Sequence, residues 1–204
     1  MPGQAPPVVD ERDALLTFLA QQRLVLRLTA HGLTDEQARA TPSASPLSVG
    51  GLIKHVASTE RSWMDTVLER SRGTAEDYVA GFTMTADESL PDVLARYDDV
   101  AAETEAIVAG IADLGQPVPV PKGVPWFPAD VDAWSVRWVL LHVITETARH
   151  AGHADIVREL IDGTVGWTPR QSNLPAGDDP SWSAHHDRVE RAAQQAAHGT
   201  SADH

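Results

Sequence analysis

The sequence contains no cysteine, and this absence restricts its chemistry more than any other feature of composition. A disulfide framework, a thiolate zinc site and a cysteine nucleophile are all excluded, so any metal must be held by histidine and carboxylate side chains. Any thiol chemistry must likewise use a thiol that comes from outside the protein.

Basic residues and long hydrophobic runs are also scarce. The 204 residues include 16 Lys and Arg against 29 Asp and Glu, which gives a net charge of −13. This balance argues against nucleic-acid and membrane-surface partners, because both attract basic patches. No run approaches the roughly 18 apolar residues of a spanning helix, and the opening MPGQAPPVVDERD lacks the basic and apolar regions of a signal peptide. We therefore expect a cytoplasmic protein.

The stretch LLHVITETARHAGHADIVRELIDG, residues 140–163, carries the strongest functional signal. Four polar side chains recur there at spacings of four, four and three, which places them on one helical stripe beside an apolar face: His142, Glu146, His150 and His153. Buried imidazoles and carboxylates are costly unless they are paired, hydrogen-bonded or bound to metal. Glu146 and His150 have the i, i+4 spacing by which one helix face supplies two ligands to one cation.

A third ligand is available on the stretch SVGGLIKHVASTERSWMDTVLER, residues 48–70. His55 lies against its apolar stripe. A single histidine on such a face is more often a core residue than a ligand, but with Glu146 and His150 it completes a set of two nitrogens and one carboxylate. Three protein ligands leave a coordination position open, as a catalytic site requires, whereas His142 or His153 as a fourth ligand would make a closed, structural site.

Apolar periodicity and N-cap residues predict four long helices: residues 10–30, 48–70, 89–111 and 135–162. The mixed stretch 71–88 and the proline-rich stretch 112–134 are predicted to be two long, irregular connections. In the second of these, Trp126, Phe127 and Trp134 either anchor the loop to the core or form a substrate wall.

This pattern predicts an all-α four-helix bundle, a fold that builds metal sites from facing helices. A short helix is expected near residues 183–197. We expect one domain over residues 10–197, preceded by a flexible segment at residues 1–9 and followed by a disordered tail at residues 198–204.

The segments GLIKHVASTERSW and ETARHAGHADIVRELIDG closely resemble the DinB-like superfamily. The similarity, over about residues 10–163, is to its mycothiol-dependent branch, which includes the N-terminal domain of maleylpyruvate isomerase and stand-alone mycothiol S-transferases. The resemblance implies a DinB-like bundle in which His55, Glu146 and His150 bind a divalent metal. Zinc is the usual assignment in the family, and nickel, iron and manganese also suit this donor set. A homodimer is a further expectation from the resemblance.

The resemblance also implies an activity. A metal-dependent transferase of this kind activates an external low-molecular-weight thiol, mycothiol or a similar one, for attack on a small electrophile. Because the sequence lacks the C-terminal domain expected of the isomerase, we expect thiol transfer in preference to isomerisation, which stays an alternative. We expect His153 to act as a hydrogen-bond partner of the site or a proton carrier, and Arg149 to pair with an anionic part of thiol or substrate; a structural role stays open for each.

Two other functions remain open from the sequence. The same metal could activate water, making the protein a hydrolase. Alternatively, a coordinatively closed site would suit a non-catalytic bundle that binds metal or a small ligand in a stress response.

Overall fold

The computed structural model describes residues 4–72, 74–124, 127–166 and 180–199. These residues divide into two compact units, residues 1–167 and residues 168–204, and each is described by itself. The expected single domain over residues 10–197 therefore stays a prediction, and the tail expected at residues 198–204 falls largely outside the described residues.

The first unit is a helical bundle, which confirms the predicted all-α fold. Its described elements are, in chain order, α1 (Glu11–Thr29), α2 (Asp35–Arg39), α3 (Val49–Val67), α4 (Ala75–Ala80), α5 (Leu90–Gly110), β1 (Pro117–Pro119), β2 (Ala133–Ser135) and α6 (Val136–Asp162). Helix α1 packs along α6, and α3 packs against both α5 and α6. Within the described residues, no helix is long and apolar enough to cross a membrane.

The long helices begin where their capping residues predict. The side chains of Asp10, Ser48 and Ser135 each accept a hydrogen bond from the backbone N–H three residues later, at 3.0, 3.1 and 3.2 Å. These bonds satisfy donors that the first turn of a helix leaves without a partner. At the other end of α6, Gly163 adopts the left-handed conformation with φ 74°, which a glycine tolerates without steric cost.

The connection over residues 71–88 is more regular than predicted. Helix α3 ends at Val67 instead of continuing to residue 70, and the connection contains the short helix α4. Thr74 and Asp77 form a reciprocal capping box at its start. This six-residue helix shows too little periodicity to be recognised from an apolar stripe, although the T-x-x-D spacing is itself a helix-start signal.

The connection over residues 112–134 contains two strands that the sequence analysis missed. Strands β1 and β2 pair antiparallel, with Val118 opposite Trp134. Val118 is buried, while Pro117 and Pro119 flank it on a strand only three residues long. Prolines are compatible with such an edge position, and a pairing between residues so distant in sequence leaves no local pattern.

A buried polar layer separates the core of the bundle into two apolar halves. The layer takes one residue from each long helix: Arg23, Glu60, Thr104 and Thr147. On each helix, the apolar residues before and after this position belong to different clusters. The guanidinium of Arg23 donates to the Glu60 carboxylate, with a distance of 3.1 Å from Nε to Oε2. Such a pair restricts the helices to registers in which both charges meet.

The second unit contains one described helix, α7 (Pro180–Gly199). It is longer than the helix predicted at residues 183–197. Its side chains are exposed from residue 180 to residue 195.

Candidate metal centre

His55 lies in the interior of the first unit, on α3. Its side chain is only 1% exposed. One face of the imidazole stacks on Phe82 with 3.6 Å between ring centroids, and the edge of Tyr78 approaches at 5.2 Å. Burial lowers the pKa of His55, because removal from water disfavours the charged imidazolium. The ring is therefore neutral, which is the form that binds metal.

Glu146 and His150 reach the same point from α6. Nε2 of His150 lies within hydrogen-bond distance of Oε1 of Glu146, at 3.1 Å, and Nε2 of His55 lies 3.8 Å from the same oxygen. Hydrogen bonding from His150 and His55 holds the pKa of the Glu146 carboxyl well below its usual range. The predicted convergence of these three side chains is thus what the structure shows.

The donor set fits a divalent metal. One ligand atom from each of His55, Glu146 and His150 lies within 4.8 Å of the other two. Two imidazoles and one carboxylate match the ligands that zinc takes in catalytic sites. These three residues therefore fit the divalent metal that the resemblance implies.

The other candidate residues lie outside this triad. His153 approaches the far side of the His150 ring, with 3.4 Å between the two Nδ1 atoms. His142 is half-buried against Trp63, at 4.7 Å between ring centroids. Arg149 is exposed and does not line the cavity beside the triad. Among the described residues of the bundle, neither His142 nor His153 joins the group of converging ligand atoms.

A cavity of about 990 Å³ opens beside the triad, and both His55 and Glu146 line it. Aromatic rings form much of its wall: Trp63, Phe127, Trp134, Trp138 and His142. Three of them form a continuous stack along the start of α6, with centroid distances of 4.7 Å from Trp134 to Trp138 and 5.2 Å from Trp138 to His142. Burial lowers the pKa of His142, so this ring is neutral and extends the apolar wall.

Sequence reasoning missed several of these wall residues. Trp138 was not singled out, although it continues the i, i+4 series of His142, Glu146 and His150 by one turn towards the start of α6. The sequence does not distinguish between a core anchor and a substrate wall for Phe127 and Trp134. The structure places both on the cavity wall. Trp126 lies outside the described residues. Arg72, which also lines the cavity, gave no signal because it lies in a connection without periodicity.

Comparison with known proteins shows to which family the chain belongs. The mycothiol-S-transferase family matches residues 14–163, which include all three converging side chains. The chain belongs to the mycothiol S-transferase family. This membership confirms the resemblance to the DinB-like superfamily.

The family membership agrees with a structural match. A crystal structure described as a conserved protein from Enterococcus faecalis is similar to this mycothiol S-transferase family member, with a TM-score of 0.56 and 13% identity. The match covers 77% of this chain and 100% of that chain. At this identity the likeness concerns the fold alone. No curated protein matches the sequence.

Proposed function

We propose that this protein is a metal-dependent transferase that joins a low-molecular-weight thiol, mycothiol or a similar one, to a small electrophile. The observation that carries the proposal is the convergence of His55, Glu146 and His150 at a large aromatic cavity. Membership of the mycothiol S-transferase family supports the reaction class. The absence of cysteine is consistent with sulfur supplied by the cosubstrate.

His55, Glu146 and His150 would hold the metal, with zinc as the first candidate. When bound, a divalent cation acts as a Lewis acid that lowers the pKa of a thiol and favours the nucleophilic thiolate. Three protein ligands are compatible with an open position for an external group.

The protein's own groups prepare this site. Burial lowers the pKa of His55 and so favours the neutral imidazole, in which one ring nitrogen has a lone pair for a metal. The contact between the Nδ1 atoms of His150 and His153 supports a hydrogen bond in which one ring donates and the other accepts. If His150 donates from Nδ1, its Nε2 is left free to act as a ligand on the side of Glu146. His153 is thereby proposed as a positioning residue.

The cavity wall would supply the second part of the site, a surface that binds the electrophile. Trp63, Trp134 and Trp138 present apolar ring surface next to Glu146. Such a wall binds the apolar body of an electrophile and excludes water that would compete with a thiolate.

Elemental analysis tests the metal site. Protein purified without added metal should contain about one equivalent of divalent metal, and Glu146→Gln and His150→Ala should each lose most of it. His31→Ala is the matched control, because His31 is exposed and is not one of the converging ligands. Equal metal content in all four proteins would contradict the proposed site.

Thiol conjugation tests the reaction. We expect the wild-type protein and His31→Ala to accelerate conjugation of mycothiol to an electrophile such as 1-chloro-2,4-dinitrobenzene. His150→Ala should reduce the rate at least a hundredfold, since removal of a metal ligand removes the activated thiolate. Turnover of the electrophile at an unchanged rate without any thiol would instead support the hydrolase alternative.

A further inference from the structure

Arg72 places a half-buried, incompletely hydrogen-bonded cation at the cavity. Its Nε donates to Oγ of Ser62 at 2.8 Å, and its guanidinium carbon lies 4.9 Å from the centroid of the Trp63 ring and 5.3 Å from that of Phe127. A guanidinium has five N–H donors. Among the residues that the structure describes, the bond to Ser62 is the only hydrogen bond of this side chain, and its Nη1 is buried without a partner.

The other described lysine and arginine side chains on the cavity wall are engaged in ion pairs, two of them with the same carboxylate, Glu88. Each has a carboxylate within ion-pair distance: Lys54 with Glu88 at 2.9 Å, Arg96 with Glu88 at 2.6 Å, and Arg61 with Glu103 at 3.8 Å. Arg72 has no such partner in the described part of the chain. The carboxylate of Asp65 acts to raise the pKa of Arg72 but lies beyond ion-pair distance from it, and is 3.8 Å from Arg70.

An unpaired guanidinium in this position is energetically unfavourable. Burial lowers the pKa of Arg72, because the charged form loses hydration that the protein does not replace. The rings of Trp63 and Phe127 recover part of this loss through cation–π contact. The remaining N–H donors suit a planar oxyanion, which a guanidinium binds through two parallel hydrogen bonds.

The ring of Trp63 connects Arg72 to the metal centre. Arg72 lies over this ring, and His142 contacts it with 4.7 Å between ring centroids. His142 in turn lies one helical turn before Glu146 on α6. The cavity therefore has a cationic group at one place on its wall, the candidate ligands at another, and aromatic surface between them.

We propose that Arg72 binds a carboxylate or similar oxyanion carried by the electrophile, while Trp63 supports the apolar part of the same molecule. This inference rests on the proposed function and narrows its substrate class to small, anionic electrophiles with an apolar body. Arg149, which the sequence predicts to pair with an anion, is exposed and lies outside the cavity wall. Arg72 fills that role from a connection that follows α3.

Ligand binding tests the inference without turnover. We would measure the affinities of trans-cinnamate and of its neutral counterpart, cinnamamide, by calorimetry, with chelator-treated protein and zinc-loaded protein in parallel. The wild-type protein should bind cinnamate about tenfold or more tightly than cinnamamide, because one hydrogen bond to a charged group is at stake. Arg72→Met should remove this preference in both preparations, which separates the effect of Arg72 from coordination of the carboxylate to metal.

Two variants serve as references for Arg72→Met. Arg70→Met is the matched control, because Arg70 is an exposed arginine two residues away that does not line the cavity, and it should keep the wild-type preference. Arg72→Lys keeps the charge but not the forked geometry, so it should retain a reduced preference. Because this second variant retains the cation, it keeps the test decisive if Arg72→Met folds poorly.

Three results would overturn the inference. The first is no saturable binding of cinnamate to the wild-type protein, and the second is an equal preference in Arg72→Lys, Arg72→Met and wild type. The third concerns the source of the anion. If the Arg72-dependent preference appeared only between N-acetylcysteine and N-acetylcysteamine, which differ by a carboxylate, the anion would belong to the thiol. The metal content of the Arg72 variants should stay at the wild-type level, so a failed binding test remains distinguishable from a failed metal site.

Discussion

The glycines near the start of α3 allow the chain after α4 to lie directly against that helix. A Cβ atom added to Gly51 would lie 2.1 Å from the carbonyl oxygen of Phe82 and 2.8 Å from Oγ of Ser48. The ring of Phe82 stacks on His55, so this close approach positions one wall of the metal centre. We predict that Gly51→Ala forces the Phe82 backbone away from α3 and loosens the stack on His55.

The expected change in the free energy of unfolding of Gly51→Ala is the difference between two opposing contributions. The Phe82 oxygen must withdraw by roughly 1 Å to reach the 3.0 Å below which such contacts essentially do not occur. Overpacking of this kind costs about 1–3 kcal/mol. Alanine is better than glycine inside a helix by about 1 kcal/mol, which offsets part of that cost. We therefore expect the free energy of unfolding to fall by up to about 2 kcal/mol.

Gly152→Ala serves as a control, because it should raise the free energy of unfolding whereas Gly51→Ala should lower it. Gly152 lies inside α6, and an added Cβ would meet nothing within 4 Å, so this variant should gain about 0.5–1 kcal/mol. Urea unfolding gives both free energies, and competition with a chromophoric chelator gives zinc affinity. Gly51→Ala should weaken zinc binding, whereas Gly152→Ala should not. A Gly51→Ala protein as stable as wild type and with unchanged zinc affinity would refute the close-packing argument.

Two further predictions concern ion pairs of the bundle. Glu60→Ala should lower the free energy of unfolding by about 3–5 kcal/mol, because it leaves Arg23 buried without its carboxylate, whereas Glu105→Ala at the exposed side of the same arginine should cost under about 1 kcal/mol. If urea unfolding gave equal losses of free energy for Glu60→Ala and Glu105→Ala, the role of the buried polar layer would be contradicted. The Arg158 guanidinium holds the pKa of Asp162 at about 2, below the ordinary 3.8, so the charged pair stabilises the fold above about pH 4 and loses this effect as the pH falls towards 2. Asp162→Asn should therefore cost about 1 kcal/mol at pH 7 and nearly nothing at pH 2, and a constant difference across that range would exclude this role.

The ligand set of the candidate site was predictable because most of it is local. Glu146 and His150 share a helix face by virtue of spacing alone, and their i, i+4 contact is present at 3.1 Å. His55 could be added because a histidine beside an apolar stripe must face the interior of the bundle. Whether these residues hold metal stays a proposal.

The contacts that Phe82 and Arg72 make around the site were not predictable in the same way. Phe82 and Arg72 belong to connections, where no periodicity indicates which side chains face inward. Phe82 reaches His55 because Gly51 permits a close approach between segments about thirty residues apart, and Arg72 reaches Trp63 because its Nε is bonded to Ser62. Both contacts depend on how separate segments dock.

The sequence by itself determined the four long helices, their capped starts, the absence of any thiol of the protein's own and the residues that converge on one point. These properties follow from local periodicity, capping chemistry and composition. Only the tertiary structure decided the pairing of β1 with β2, the polar layer across the core and the unpaired cation beside the aromatic cavity. Each of these requires contacts between distant segments, whose free energy depends on packing that no single stretch of sequence encodes.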